Sequence, residues 1–308
     1  MLTPRQIVEQ AVQDGKISGS WLISGPYGVG KKEFAQQVCG FLTSGKWKAL
    51  TLFHPDVKWV ECPLTDEAKK EIQKEILAGN AVGDIQTKAK KREITVDAVR
   101  EGMHFLSLKG AATSYRIAVV HLADDMNEEA QNALLKMLEE PYPRSVLLLL
   151  CQNTGKVLPT IRSRCRQIIL RPMSNGELKS EIQKQYPHEK DIDWIVDLSG
   201  GSIGLARDII EKNGLELYQK VVSFCVPVGD LPIEPLQLFA GEVAADATTW
   251  ALTQKFVLDW CHRQAAHDEK GLDVSKSIRQ LLADTDRIYL DKAQALMTCF
   301  FKIAEALA

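Results

Sequence analysis

Up to about residue 172, short apolar runs alternate with segments of helical period. Five runs read as strands: WLISG (21–25), LFHPDVKWVE (52–61), RIAVVHL (116–122), SVLLLLCQ (145–152) and RQIIL (166–170). RIAVVHL and SVLLLLCQ are apolar at successive positions, the pattern of central strands covered on both faces of a parallel sheet. Between the runs, KEFAQQVCGFL (32–42) and NEEAQNALLKMLEE (127–140) carry helical spacing. The second has Asn127 as N-cap, acids in its first turn and Pro141 to stop it. The pattern predicts an α/β domain over residues 1–172 with a mostly parallel sheet.

That rhythm breaks in two places. Residues 63–93 are charge-rich and read as a surface insertion, whose basic end (88–92) is better explained as a solvated loop than as a phosphate-backbone contact. Beyond residue 172, SNGELKSEIQKQ, DIDWIVDLSGG and SIGLARDIIEKN predict a small helical unit over 173–212. Residues 213–308 are helical throughout, with KFVLDWCHRQAA and KAQALMTCFFKIAEAL the clearest amphipathic segments.

Composition narrows the function classes without choosing one. In 308 residues, 45% are hydrophobic and 25% charged, with a formal net charge of −2. There is no bulk attraction to nucleic acid, so any such contact would be local. The start, MLTPRQIVEQ, lacks the pattern of a signal peptide, and no apolar run approaches the ~18 residues of a membrane span. A cytoplasmic protein without membrane partners is expected. The seven cysteines form no C-x-x-C pair. Cys261, His262 and His267 are the nearest approach to a ligand cluster, and they lack a fourth donor at useful spacing.

The chemistry-bearing stretch is GPYGVGKKEF (25–34). It meets the phosphate-loop pattern at Gly25, Gly30 and Lys31, with Gly28 inside the turn, and fails at Lys32, where a hydroxyl residue belongs. Backbone N–H groups and Lys31 would suit phosphate, but an ammonium at position 32 has no lone pair for Mg²⁺. The second requirement is an acidic pair at the end of a neighbouring strand. The chain has His121 and Leu122 there. Asp124 and Asp125 come later, in the connection before the helix, and their carboxylates are expected to point elsewhere. Two separate losses at one site predict poor or absent ATP hydrolysis, and leave open whether ATP or ADP is weakly bound.

The runs ITVDAVREGMHFLSLKG, YRIAVVHLADDMNEEAQNALLKMLEEP and LPTIRSRCRQIIL resemble the clamp-loader ATPases of the AAA+ superfamily, and among them the delta-prime type from bacterial DNA polymerase III. The resemblance covers residues 1–212 with recognisable motifs, including the HPD of His54 to Asp56. It implies a AAA+ sheet domain, a helical lid and an all-α collar that joins a hetero-oligomer. It implies as partners the ATP-hydrolysing AAA+ subunits and a delta-type subunit and, through the assembly, a sliding clamp and primed DNA. It implies that Arg164, packed by Ser163 and Cys165, is an arginine finger acting at a neighbour's ATP. A lid position where hydrolysing relatives carry a sensing arginine holds Gly204, with Arg207 one turn on. Relatives also carry a four-cysteine zinc module, whereas Cys39 and Cys62 stand alone, so no zinc is expected. Lys136 is a candidate for contact with DNA, more simply read as a solvated lysine. The rival readings are a self-sufficient ATPase using Lys31 and Asp124, and a module that senses ATP without cleaving it.

Overall fold

Each of the five predicted runs holds a strand, and the two that are apolar at successive positions, RIAVV and SVLLLLC, are buried almost throughout, as in a parallel sheet covered on both faces. The structure, a computed structural model, describes residues 2–50, 54–65, 93–108, 115–265, 269–288 and 290–307. The expected start of the second strand at 52–53, the bulk of the charged insertion with its basic end, and His267 lie outside the described residues. The chain divides into two units, Met1–Leu178 with Gly200–Gly204, and Lys179–Ser199 with Leu205–Ala308.

In the first unit, helix α1 (Pro4–Gln13) is followed by β1 (Gly19–Ser24), α2 (Lys31–Ser44), β2 (Val57–Val60), α3 (Val96–Ser107) and β3 (Arg116–Val120). Then come α4 (Glu128–Glu139), β4 (Ser145–Cys151), α5 (Pro159–Arg164) and β5 (Arg166–Ile169). The five strands pair in parallel in the order β2-β3-β4-β1-β5. All seven residues of β4 are buried. Val146, Leu148 and Leu150 face one layer with Val38 of α2 and Val8 of α1. Leu147, Leu149 and Cys151 face the other, with Val99 of α3, Leu134 of α4 and Ile161 of α5. Helices therefore cover both faces, as the α/β reading requires.

Local signals set the helix ends. Asn127 accepts from the Ala130 N–H at 2.9 Å and caps α4 as expected. Thr3 and Gln6 form a reciprocal capping box on α1. His54 and Asp56 have a structural role at the approach to β2. His54 Nδ1 accepts from the Asp56 N–H at 3.2 Å, and the fully buried Asp56 lends its carbonyl to Ile117.

After β5 the chain is helical: α6 (Asn175–Gln185), α7 (Ile192–Ser199), α8 (Ile203–Glu211), α9 (Gly214–Ser223), α10 (Ile233–Ala245), α11 (Ala247–Ala265), α12 (Glu269–Ile288) and α13 (Lys292–Ala306). Within the second unit, the Phe224 ring meets those of Phe239 and Phe300 at 5.2 and 5.6 Å, and Tyr218 meets Phe256 edge-on at 5.5 Å. Among the described residues, no helix is long and apolar enough to cross a membrane.

Candidate functional site: a self-engaged phosphate loop and a distant arginine

The loop between β1 and α2 begins at Gly25, whose N–H donates to the Cys151 carbonyl. Gly28 and Gly30 have φ of 69° and 91°, a left-handed backbone that glycine enters without strain. Gly30 caps α2 with no side-chain acceptor of its own. So far this is the geometry of an anion cradle.

The side chains around it are committed to other work. Lys31 is 8% exposed, and its Nζ donates to the Gly25 and Pro26 carbonyls at 2.7 Å each. Burial lowers its pKa, and the charge of nearby Asp124 opposes that shift. Lys32 turns toward β2, with its Nζ 3.8 Å from Glu61 and 5.8 Å from the centroid of the Trp59 ring. His121 stands edge-on to the same ring, with centroids 6.4 Å apart, and Leu122 precedes a short 3₁₀ turn, Ala123–Asp125.

Asp124 departs from the sequence reading. It does not lie out on the loop surface, because the 3₁₀ turn folds it back to the ends of β3 and β4, within electrostatic reach of Lys31. Its oxygens are nonetheless engaged, Oδ1 accepting from the Gln152 N–H and Oδ2 from the Asn153 N–H, both at 3.1 Å. The Cys151 thiol beside it is pushed up to about 12, by burial first and then by the Asp124 charge and hydrogen bond. Asp125 is half-buried, and burial raises its pKa.

Gly204 is closer to the loop than spacing alone reveals. Its N–H donates to the Gly28 carbonyl at 2.8 Å, and Ser202 Oγ donates to the Tyr27 carbonyl at 2.9 Å. A Cβ on Gly204 would stand 2.6 Å from the Gly28 Cα, so this approach requires glycine. Four consecutive loop carbonyls, Gly25 to Gly28, thus have donors from within the unit. Arg207 lies beside Tyr186 and Glu211.

Arg164 ends α5 just before β5, at the opposite end of the strands from the loop. Its Nη1 donates to the Thr160 carbonyl at 3.1 Å and its Nη2 to Glu139 Oε1 at 2.9 Å, with 38% of the side chain exposed. Ser163 Oγ donates to the same Thr160 carbonyl, while Cys165 is buried in the core with its thiol pushed up to about 12 by burial. β5 pairs Arg166 with Trp21 and Ile169 with Ser24. Gly25 is thus four strand steps from the level of Arg166, roughly 13 Å along the sheet, with Arg164 two residues further back. The arginine cannot reach its own loop.

Gln131 is the positioning residue that the sequence pattern gave no reason to single out. Buried on α4, it donates through Nε2 to the Met126 and Lys156 carbonyls at 3.1 Å and accepts the Leu158 N–H at 2.8 Å, tying α4 to the start of α5. Its only signal was a polar residue on the apolar face of NEEAQNALLKMLEE. Lys136 is exposed on α4. Cys39 and Cys62 pack into clusters on opposite faces of the sheet, and Cys261 is buried while His262 is exposed.

Residues 4–174, more than half of the chain, match the family described as DNA polymerase III, delta subunit. The chain belongs to that family. Within the DNA polymerase III delta family, its similarity is to delta-prime subunits. It is 28% identical over 289 residues to the DNA polymerase III subunit delta' of Pseudomonas aeruginosa, across 86% of this chain and 79% of that one. It is also 28% identical over 193 residues to the subunit delta' of Haemophilus influenzae, across 59% of this chain and 58% of the relative. A solved DNA polymerase III gamma subunit-related protein of Thermotoga maritima shares the fold with a TM-score of 0.50 at 15% identity, over 98% of this chain and 99% of that one. The parallel sheet followed by helices is the AAA+ arrangement expected for this delta-family chain.

Proposed function

We propose that this chain is a non-hydrolysing subunit of a DNA polymerase III clamp loader, supplying Arg164 in trans to the ATP of a neighbouring AAA+ subunit. The observation that carries the reading is the pairing of a loop whose lysine is spent on its own carbonyls with an arginine exposed at the other end of the strands of the same sheet. Mg²⁺ does not fit the donors around the loop: position 32 is an ammonium, the strand end is His121-Leu122, and Asp124 spends both oxygens on backbone amides. A guanidinium brought to a γ-phosphate neutralises charge that develops in phosphoryl transfer, and such fingers raise rates by roughly 10³–10⁵. The roughly 13 Å between Arg166 and the level of the loop supports a target outside the chain's own site.

In this role the chain contributes geometry, and the bond chemistry takes place on the partner. The hydrolysing subunits, a delta-type subunit, the sliding clamp and primed DNA are its partners in the assembly, joined through the helical C-terminal region. The test is reconstitution of the assembly with Arg164→Ala. Hydrolysis stimulated by clamp and primed DNA should fall by about 10³ while the assembly still forms. Unchanged hydrolysis would remove the finger from the account.

A further inference from the structure

We infer that Glu139 is a positioning residue for Arg164, fixing the plane of its guanidinium for a neighbour's phosphate; this rests on the finger reading above. A guanidinium is planar and carries five N–H donors. Arg164 uses one on Nη1 for the Thr160 carbonyl and one on Nη2 for Glu139 Oε1, so a donor on each terminal nitrogen and the one on Nε are left. The Thr160 bond lies within α5 and alone leaves the plane able to rotate. Glu139 comes from α4, and a second anchor on a different element removes that rotation.

The placement of Glu139 makes little sense as a stability device. It is the last residue of α4, where the negative end of the helix dipole disfavours a carboxylate, and Glu140 follows it. Its side chain is 55% exposed, and exposed ion pairs contribute little to stability. What the pair does is order a long, flexible side chain before it meets its target, which lowers the entropy lost on docking. The frame behind it is rigid, because buried Gln131 ties α4 to the start of α5.

The experiment uses the reconstituted assembly with ATP, sliding clamp and primed DNA, comparing Glu139→Ala, Glu139→Gln, Arg164→Ala and the Glu139→Ala/Arg164→Ala double variant. Arg164→Ala should lower kcat by about 10³. Glu139→Ala should lower it by about tenfold, the scale of a misaligned group, with KM for ATP and assembly unchanged. Glu139→Gln keeps an acceptor without the charge and should restore most of the rate. In the double variant, loss of Glu139 should add nothing. A wild-type rate for Glu139→Ala beside a slow Arg164→Ala would overturn the positioning role and leave the finger standing. A wild-type rate for Arg164→Ala would overturn the finger first. An equal loss from Glu139→Ala in both backgrounds would assign Glu139 a general structural role instead, and a faster Glu139→Ala would mean that the pair restrains the finger.

Discussion

The Lys31 ammonium lies 2.7 Å from the carbonyl oxygen of Gly25, the residue that opens its own loop. With the equal contact to Pro26, it makes the most recognisable residue of the motif an internal brace. Charge-assisted hydrogen bonds of this kind contribute about 1.5–3 kcal/mol each, and removing the donor leaves two carbonyls to resolvate. Because burial of the ammonium offsets part of that gain, Lys31→Met should lower stability by roughly 1–3 kcal/mol in urea denaturation. At temperatures where the variant is folded, stimulated hydrolysis by the assembled partners should stay near the wild-type rate.

Restoring the missing hydroxyl should not restore an enzyme. In a Lys32→Thr variant, Lys31 still serves Gly25 and Pro26, and Asp124 still serves Gln152 and Asn153. Mg²⁺-dependent ATP turnover by the purified variant alone should remain at background. Turnover above background that disappears on Asp124→Asn would revive the self-sufficient ATPase.

Gly204→Ala tests the contact on the loop. The new Cβ would stand 2.6 Å from the Gly28 Cα, a backbone atom with little room to yield, and overpacking of this kind costs about 1–3 kcal/mol. Ser202→Ala removes only its hydroxyl bond to the Tyr27 carbonyl and should cost about 1 kcal/mol. Urea midpoints of the two variants should separate in that order.

Gln131→Leu fills the same buried space but leaves the Leu158 N–H and the Met126 and Lys156 carbonyls without their partner. Unsatisfied buried groups cost about 1–3 kcal/mol each, so a loss of at least about 3 kcal/mol is expected in denaturant. Because α5 loses its tie to α4, stimulated hydrolysis in the assembly should also fall.

Asp246 gives the second unit an acid dependence. It caps α11, accepting from the Thr249 N–H at 2.8 Å and the Thr249 hydroxyl at 2.6 Å, with Lys212 at 3.1 Å. The Thr249 bonds first, and Lys212 after them, hold its pKa at about 2 against an ordinary 3.8. A depressed folded pKa means that the stabilisation is complete above the ordinary value and is lost as pH falls through about 2. Asp246→Ala should cost about 1 kcal/mol at neutral pH, typical of an N-cap, and converge on the wild type in acid.

The centre of the sheet was legible because RIAVV and SVLLLLC are apolar at successive positions and are bounded by turns. The T-x-x-Q of Thr3 and Gln6 is an equally plain local signal, the sequence form of the capping box on α1. The site was legible in identity but not in geometry. Lys31 satisfies the same motif whether its ammonium faces a phosphate or its own loop, and only the rotamer separates the two. Asp124 looked misplaced because residue counting assumes an extended connection, whereas a 3₁₀ turn shortens it. Glu139 and Arg164 are 25 residues apart, and no local pattern announces that α4 and α5 end side by side.

Setting the loop and Arg164 at opposite strand ends of one parallel sheet gives the chain a direction, like a tile with a different device on each side. In a head-to-tail ring, such a tile completes the site of the neighbour on one side and cannot complete one on the other. Under the proposed reading, each copy added to an assembly would remove one working site. The output of the ring would therefore be greatest when it holds this chain only once.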